Sequence, residues 1–485
     1  MAGSGWVIAT VAICSFGFFK ELRILTPFLC EYLIEDKNFT LPLIEGYIFP
    51  FSTYSQLIFL VPVFILTDVV RYKAVVISEG LLYSVTWILL IWGESVFHMQ
   101  LMQAAYGWAV AAKVAYYAYI YSVVDATHYK AVTSYVRGAM LVGRAFGYIL
   151  AQVLMWTTYR YDILNYISLA ATGVATIIAM LLPPARKPFD DTTSVKIKSN
   201  AVQYELKSAS QIRNPSRHRQ RYFNIKCPSY LSYVTEFLAK VKSSYSKKVV
   251  VKWSLWWALA SCGYFQVGNY IQARWAELYH EDDSASLYNG ITVSASTLLG
   301  AIMAVLMQFL RVNWSIGGEM TLGLISLIDA VLLVAIAETH LLVLPHIFYV
   351  IFCVLYQMLI TVATYNIAAN IDSVCHGLVF GCNAFVALSI QTILTFIVAD
   401  HSGLHLDIKL QFLVYGAYHA VVGVIFVAMG FKTIINTGGI KHCLRITFTE
   451  IQKQRRDSRQ QPNETPDSTS TNNNPATDQE TVTSA

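Results

Sequence analysis

The sequence predicts an all-α membrane protein with twelve transmembrane helices arranged as two six-helix bundles. Of its 485 residues, 55% are hydrophobic and only 13% are charged, whereas soluble proteins carry about 25% charged residues. About twelve apolar runs are long enough to cross a hydrocarbon core of roughly 30 Å. A long basic segment after the sixth run divides them six and six. The runs lie near residues 6–29, 46–70, 74–93, 100–125, 132–157, 162–184, 251–276, 288–311, 317–338, 341–370, 377–399 and 411–432.

The first run, "WVIATVAICSFGFF", is short enough to be compared with a signal peptide. No basic region precedes it, and no small-residue cleavage site follows it. We therefore expect an uncleaved first span.

The remaining organisation follows from the basic segment and the polar end of the chain. We expect an N-terminal six-helix bundle over 1–185, a basic cytoplasmic loop over 186–250 and a C-terminal six-helix bundle over 251–432. Two bundles of this kind typically face each other across a central cavity. The chain after residue 459 is polar and nearly devoid of large apolar side chains, and we expect residues 433–485 to form a disordered cytoplasmic tail.

Charge in the connecting segments predicts the orientation in the membrane. From 184 to 252 the chain has fifteen Lys or Arg and only four acids. Short connections on the same side carry "RYK" (71–73), whereas the opposite side carries "EYLIED" (31–36) and "ELYHEDD" (277–283). The positive-inside bias then places the basic loop and both termini in the cytoplasm. The net charge of +5 reflects this topology and does not indicate nucleic-acid binding.

A glycosylation sequon begins at Asn38 and falls in the first external loop of this topology. Because glycans are added on the luminal side, Asn38 is the expected attachment site.

Other function classes lack their signatures. The sequence has neither the GxxxxGK[ST] motif of an ATP-driven pump nor the HExxH or GxSxG motif of an enzyme. Its eight cysteines show no CxxC spacing. No cofactor or metal is expected, and a secondary carrier is favoured over a pump, a channel or an enzyme.

Two basic residues near the middle of spans are the best candidates for a binding site. Lys113 lies halfway along the run 100–125 and shares a helical face with Tyr106 and Tyr117. Arg144 lies in the middle of the fifth span between Gly143 and Gly147, which would allow another helix to approach closely. No midplane acid is expected beside them. Charges at this depth are expensive, so they either meet an anionic substrate in a cavity or pair with a buried acid.

Two further groups of residues have competing interpretations. Tyr116 and Tyr117 belong to a tyrosine-rich stretch that either stacks on a flat heterocycle or packs between helices. Asp68 and Arg71 lie at the cytoplasmic end of the second span. There they either exchange partners during gating or form a plain helix-end charge pair.

Several blocks of the sequence resemble the reduced folate and thiamine carriers of the major facilitator superfamily. They include "LVPVFILTDVVRYKAVVI" (60–77), "AYYAYIYSVVDATHYK" (115–130), "WSLWWALASCGY" (253–264) and "GLVFGCNAFVAL" (377–388). The resemblance covers nearly all spans and excludes the central loop and the tail. It implies the major facilitator superfamily fold and transport of a water-soluble vitamin through a central cavity.

The resemblance bears on the sign of the substrate charge. Folate carriers place arginine where Lys113 stands, and thiamine carriers place glutamate there. Where thiamine carriers read "RPSEPF", this chain has Thr26 in place of the glutamate. Val293 replaces a second acid, which follows "YNG" in thiamine carriers. Arg144 stands where thiamine carriers have tyrosine. These departures from the thiamine pattern favour an anionic substrate.

The second bundle departs from the folate pattern. Cys353 and Gln391 replace an arginine and a lysine of folate carriers, while Gln266 and Asn269 follow the thiamine style. We expect Lys113 and Arg144 to hold carboxylate or phosphate and Tyr106, Tyr116 and Tyr117 to give aromatic contact. Gln266, Asn269 and Gln391 would supply neutral hydrogen bonds.

These observations predict a plasma-membrane carrier of folate or a folate-like anion, working by alternating access in the lipid bilayer. Protons or exchanged organic anions are the expected coupling partners. Two alternatives remain, a carrier of thiamine or its phosphates and a transport-inactive receptor or sensor.

Overall fold

Long helices make up nearly all of the computed structural model, which describes residues 5–70, 72–123, 128–183, 239–281, 288–307, 314–371 and 376–438. Within these ranges, twelve helices have 17 residues or more. The long helices of the first half are α1 (Gly5–Glu21), α4 (Phe49–Val70), α5 (Tyr72–Trp92), α6 (Val96–Val123), α7 (Tyr129–Thr158) and α8 (Tyr161–Leu181). Those of the second half are α9 (Lys248–Glu281), α10 (Asn289–Leu306), α11 (Trp314–Glu338), α12 (Val343–Ala368), α13 (His376–Val398) and α14 (Ile408–Asn436).

Short elements connect α1 to α4. They are a 3₁₀ turn (Thr26–Phe28), α2 (Leu29–Glu35), α3 (Leu41–Leu43) and a π-helical turn (Ile44–Ile48). Within the described residues, eight of the long helices, α5, α7, α8 and α10–α14, are long and apolar enough to cross a membrane. The chain is therefore a multi-pass membrane protein, and the count of twelve spans stays a prediction, as do the bundle boundaries.

Helix packing divides the described residues into two halves. In the first half α1 packs on α7 and α8, and α6 packs on α4 and α5. In the second half α9 packs on α12, α13 and α14, and α11 packs on α14. The halves meet where α7 contacts α10, α4 contacts α13 and α2 contacts α9. We call the end at which α1 begins and α14 ends the proximal end, and the opposite end the distal end.

The apolar core differs between these two ends. At the distal end one continuous cluster joins both halves, with Phe28 and Phe49 of the first half packed together with Tyr270 and Phe412 of the second. Toward the proximal end each half has a separate cluster, one around Phe16 and the other around Trp256. Hydrogen bonds also join the halves at the distal end, for example from Tyr54 Oη to Asp400 Oδ2 at 2.7 Å. The structure is thus closed at its distal end.

The first span is interrupted rather than continuous, which the apolar run 6–29 did not predict. Helix α1 ends at Glu21, and regular helix resumes only at Leu29. Pro27 lacks a backbone N–H and lies in the 3₁₀ turn, where a regular helix would need that donor. The structure continues as α2 to Glu35, beyond the predicted end of the span.

The basic loop and the tail lie mostly outside the described residues, which omit 184–238 and 439–485.

Candidate functional site

The interruption of the first span places three charged residues, Lys20, Glu21 and Arg23, inside the first half. Side chains of other helices bond the backbone groups that the interruption leaves free. Ser168 Oγ in α8 accepts hydrogen bonds from the backbone N–H groups of residues 24 and 25, at 2.9 and 3.2 Å. Gln272 in α9 donates to Thr26 O at 2.9 Å and accepts from Cys30 N at 3.3 Å. Unpaired backbone groups would be costly here, so these contacts stabilise the interruption.

Glu21 is the carboxylate at which the two predicted cations meet. Arg144 donates to Glu21 Oε2 from Nη2 at 2.8 Å and from Nε at 3.0 Å. Lys113 Nζ lies 3.5 Å from Glu21 Oε1. Arg23 Nη2 adds a longer bond to Oε2 at 3.3 Å. Of the two interpretations of Lys113 and Arg144, pairing with a buried acid is therefore present in this structure, through a partner that was not obvious in the sequence.

Close approach of α1 and α7 makes this pairing possible. A Cβ atom added at Gly143 would lie 2.5 Å from the backbone oxygen of Phe18 in α1. Only a residue without a side chain fits at that distance, so the predicted close approach beside Arg144 is confirmed.

A second ion pair lies next to Glu21. Lys20 Nζ donates to Glu79 Oε1 of α5 at 2.7 Å, and both side chains are almost completely buried. The same ammonium lies 3.6 Å from the ring centroid of Tyr116, where a cation–π interaction adds to the pair.

We call these six side chains the charged cluster: Lys20, Glu21, Arg23, Glu79, Lys113 and Arg144. With all of them ionised, four cations face two carboxylates, which leaves two positive charges uncompensated. The side chains of Lys113 and Arg144 are 25% and 33% exposed despite their contacts with Glu21, which is buried. An anion is therefore attracted to the cluster and finds accessible donors.

A cavity of about 150 Å³ lies between the halves on the distal side of the charged cluster. Arg23 forms part of the cavity wall. The guanidinium carbon of Arg23 lies 4.9 Å from the centroid of the Tyr83 ring and 5.7 Å from that of the Tyr106 ring. Asn269 and Gln272 of α9 line the opposite side. Asn269 also donates to Thr53 Oγ1 across the interface, at 3.1 Å.

The second half contributes neutral groups at this interface. Gln266 is buried, donates to the Tyr415 hydroxyl at 3.0 Å and accepts from Thr395 Oγ1 at 2.9 Å. The rings of Tyr264 and Tyr356 stack with centroids 3.9 Å apart. Tyr264 lies within electrostatic reach of Arg144. We call Tyr264, Gln266, Asn269, Tyr356 and Tyr415 the neutral cluster.

The structure does not bring all of the predicted site residues together. Tyr116 is completely buried, and its hydroxyl donates to the backbone oxygen of Ile13 at 2.8 Å, so it packs under Lys20. Gln391 is buried in α13. Asn38 is exposed in the loop between α2 and α3. The side chains of Tyr117 and Asp68, and the whole of Arg71, lie outside the described residues.

Four residues of the charged cluster were not among the predicted site residues: Lys20, Glu21, Arg23 and Glu79. The first three fall inside the apolar run 6–29, and charges within a span are themselves a signal of function. The nearby Pro27 is a second signal, because proline interrupts a helix. Their ion pairs with residues of α5, α6 and α7 join positions 59 to 123 residues apart, and no spacing pattern reveals such pairs.

Comparison with known proteins agrees with this architecture. The sequence model of the family described as reduced folate carrier matches residues 4–414. Folate transporter 1 of Caenorhabditis elegans is 38% identical over 460 residues, covering 93% of this chain and 98% of that protein. Thiamine transporter 2 of Homo sapiens is 40% identical over 445 residues, covering 87% of this chain and 90% of that protein.

Solved transporter structures share the fold. The nucleoside transporter NupG superposes with a TM-score of 0.56 at 13% identity, covering 87% of this chain and 98% of that one. A D-xylose–proton symporter superposes with a TM-score of 0.53 at 11% identity, covering 88% and 97%. The predicted major facilitator superfamily fold is thus confirmed, and the chain is a membrane transporter of a small molecule rather than an enzyme. It belongs to the reduced folate carrier family.

Proposed function

We propose that this transporter moves folate or a folate-like organic anion across the plasma membrane by alternating access. The observation that carries the proposal is the charged cluster, in which two positive charges are left uncompensated. Desolvated cations in a low-dielectric interior attract an anion strongly and disfavour a cation. The resemblance to Folate transporter 1, over nearly the whole length of that protein, supports the same substrate class.

Lys113 and Arg144 are the proposed carboxylate-binding residues. Glu21 accepts two bonds from Arg144 and contacts Lys113, so it holds both cations in place when no substrate is bound. A guanidinium has five N–H donors and an ammonium has three. Donors not used by Glu21 remain for a substrate carboxylate or phosphate. Glu21 is itself surrounded by three cations, which makes it a poor partner for a positively charged vitamin.

Aromatic and neutral groups would orient the rest of the substrate. Tyr106 lies at the cavity beside Arg23, and Tyr264 and Tyr356 form a flat stack on the other half. Flat heterocycles pack well against such rings. Asn269 offers a neutral hydrogen bond at the cavity wall. Gln266 and Gln391 are the proposed neutral contacts in conformations that expose them. Tyr117 is a further proposed aromatic contact on the first half, whereas Tyr116 packs under Lys20 in this conformation.

The conformation suggests one state of the transport cycle. If the positive-inside bias applies, the proximal end and both termini face the cytoplasm, and Asn38 faces outward for glycosylation. The closed distal end then corresponds to a state closed to the outside. Asp68 and Arg71 are the proposed gating residues. Proton coupling and exchange for a second organic anion are both compatible with this scheme.

A second candidate substrate is a thiamine phosphate. Human thiamine transporter 2 is among the relatives, and Gln266 and Asn269 follow the thiamine style. The phosphates of such a compound would use the same two cations as a carboxylate.

Uptake of labelled folate, thiamine and thiamine pyrophosphate by cells expressing the chain tests the proposal. We expect folate or thiamine pyrophosphate to accumulate, and Lys113→Met and Lys113→Glu to reduce that uptake progressively. Lys409→Met is the matched control, because Lys409 pairs with Glu338 at an exposed position 3.0 Å away. Accumulation of free thiamine that Lys113→Met leaves unchanged would contradict the charge argument. Absence of all uptake by well-expressed protein would instead support a receptor or sensor.

A further inference from the structure

A group of metal-binding side chains joins the two halves at the distal end. Glu31 and Glu35 lie one turn apart on α2, and His280 lies at the end of α9. One ligand atom from each residue lies within 4.8 Å of the other two. None of the three belongs to the charged cluster or to the cavity described above.

The distances fit a tetrahedral divalent metal after a small adjustment. His280 Nε2 lies 3.3 Å from Glu31 Oε2. Two ligands bound about 2.1 Å from a zinc ion at the tetrahedral angle are about 3.4 Å apart. Histidine nitrogen with carboxylate oxygens is a common zinc ligand set. Glu35 is exposed, so its side chain is free to move the remaining distance.

Glu31 supplies the independent observation that points to a ligand. Its side chain has no exposed surface. Within the described residues its one ion-pair partner is His280, and neither of its carboxylate oxygens accepts a hydrogen bond. A buried carboxylate whose one charged neighbour is a partly exposed histidine is poorly compensated, and a bound cation would stabilise it. A divalent cation between Glu31, Glu35 and a neutral His280 would balance the two negative charges.

We propose that Glu31, Glu35 and His280 form a zinc-binding site that connects α2 of the first half to α9 of the second. The side chain of His280 is 42% exposed, so the site is open to the solvent from which the metal would come. Water would complete the coordination. A hydrogen bond already joins these two helices, from Cys30 N of α2 to Gln272 Oε1 of α9 at 3.3 Å.

Metal binding would favour the distally closed conformation. Because α2 and α9 belong to different halves, opening of the distal end separates His280 from the two glutamates. Zinc bound to all three stabilises only the closed state and would slow transport. This consequence rests on the proposed alternating access, whereas metal binding itself does not.

Direct metal binding is the test, because it needs no transport substrate. Purified full-length protein would compete for Zn²⁺ with a chromophoric chelator, with His280→Gln, Glu31→Gln and Glu35→Gln as the ligand variants. His98→Gln is the matched control, since His98 is an exposed histidine at the same end, next to Ser95. We expect one high-affinity Zn²⁺ per chain, a loss of affinity of at least tenfold in His280→Gln, and no change in His98→Gln.

Thermal unfolding in the same samples gives a second measurement. Zn²⁺ should raise the melting temperature of the wild type and of His98→Gln, and should leave His280→Gln unchanged. Glu31→Gln should also lose the rise in melting temperature with Zn²⁺, because it removes one of the three proposed ligands. Equal Zn²⁺ affinity in the wild type and His280→Gln would overturn the proposal. If zinc binds as predicted but no vitamin is transported, the site stands and the proposed function fails.

Discussion

The two halves present opposite chemistry to the interface between them. The first half carries the charged cluster, in which three cations surround Glu21 and a fourth pairs with Glu79. The second half carries the neutral cluster, in which Gln266 donates to Tyr415 and accepts from the neighbouring Thr395, and two tyrosine rings stack. Charge interactions act over long distances in a low dielectric, whereas neutral hydrogen bonds require contact. Under the proposed function, the first half would select the charge of the substrate and the second half would fit its shape.

The largest effect is expected from Glu21→Gln, which leaves Arg23, Lys113 and Arg144 without their shared carboxylate. Removing one partner of a buried ion pair costs about 3–5 kcal/mol, and here three cations lose it together. We expect a large fall in melting temperature and in expression level. Glu338→Gln is the control, because its partner Lys409 is exposed and such surface pairs contribute about 0–1 kcal/mol. Equal stability of the two variants would mean that the charged cluster is not held by Glu21.

The Lys20–Glu79 pair gives the next largest effect. Lys20→Met leaves a buried carboxylate unpaired and should cost about 3 kcal/mol of unfolding free energy. Adding Glu79→Leu should recover most of that loss, because the double variant replaces both ions with apolar groups. A double-mutant cycle on melting in detergent measures the coupling. Additive losses would contradict the direct pairing seen in the structure.

Gly143→Ala tests how the first half positions Arg144. The new methyl group would meet the backbone oxygen of Phe18 at 2.5 Å, so α7 must move away from α1. Overpacking of this kind costs about 1–3 kcal/mol. Gly138→Ala on the same helix is the control, since an added Cβ there meets nothing within 4 Å. We expect lower melting temperature and weaker anion uptake only in Gly143→Ala, and equal behaviour of both variants would argue against the close approach.

The smallest loss of stability is expected from a substitution in the neutral cluster. Gln266→Leu removes two hydrogen bonds and leaves Thr395 with one partner fewer, at a cost of about 1–2 kcal/mol. Because no charge changes, the preference for anions over cations should persist in uptake assays. A reversal of that preference in Gln266→Leu would show that the second half also selects charge.

Sequence predicted much of this fold because a membrane-spanning helix can be recognised almost entirely from the length of its apolar run. The runs 132–157 and 162–184, for example, correspond to α7 (Tyr129–Thr158) and α8 (Tyr161–Leu181). Lys113 and Arg144 were also identified as candidate binding residues, since a lysine or an arginine in an apolar run stands out from its neighbours.

The arrangement around Glu21 was not predictable in the same way. It depends on the interruption of the first span, which Ser168 and Gln272 stabilise from distant parts of the chain. It also depends on packing of α1 against α7, which brings Arg144 to a residue 123 positions earlier. The position of Tyr116 likewise follows from packing, because tyrosines on one helix turn point in different directions and only the neighbouring helices decide which is buried.

Equilibrium binding of labelled folate to purified wild type and to the double variant Lys113→Met/Arg144→Met tests charge selection most directly. The double variant removes the two uncompensated charges, while Arg23 remains beside Glu21 and Lys20 beside Glu79. Each charge-assisted hydrogen bond contributes about 1.5–3 kcal/mol, so affinity should fall by roughly 100-fold or more. The account predicts that loss with a folded, monodisperse protein. Folate binding of unchanged affinity in the double variant would contradict it.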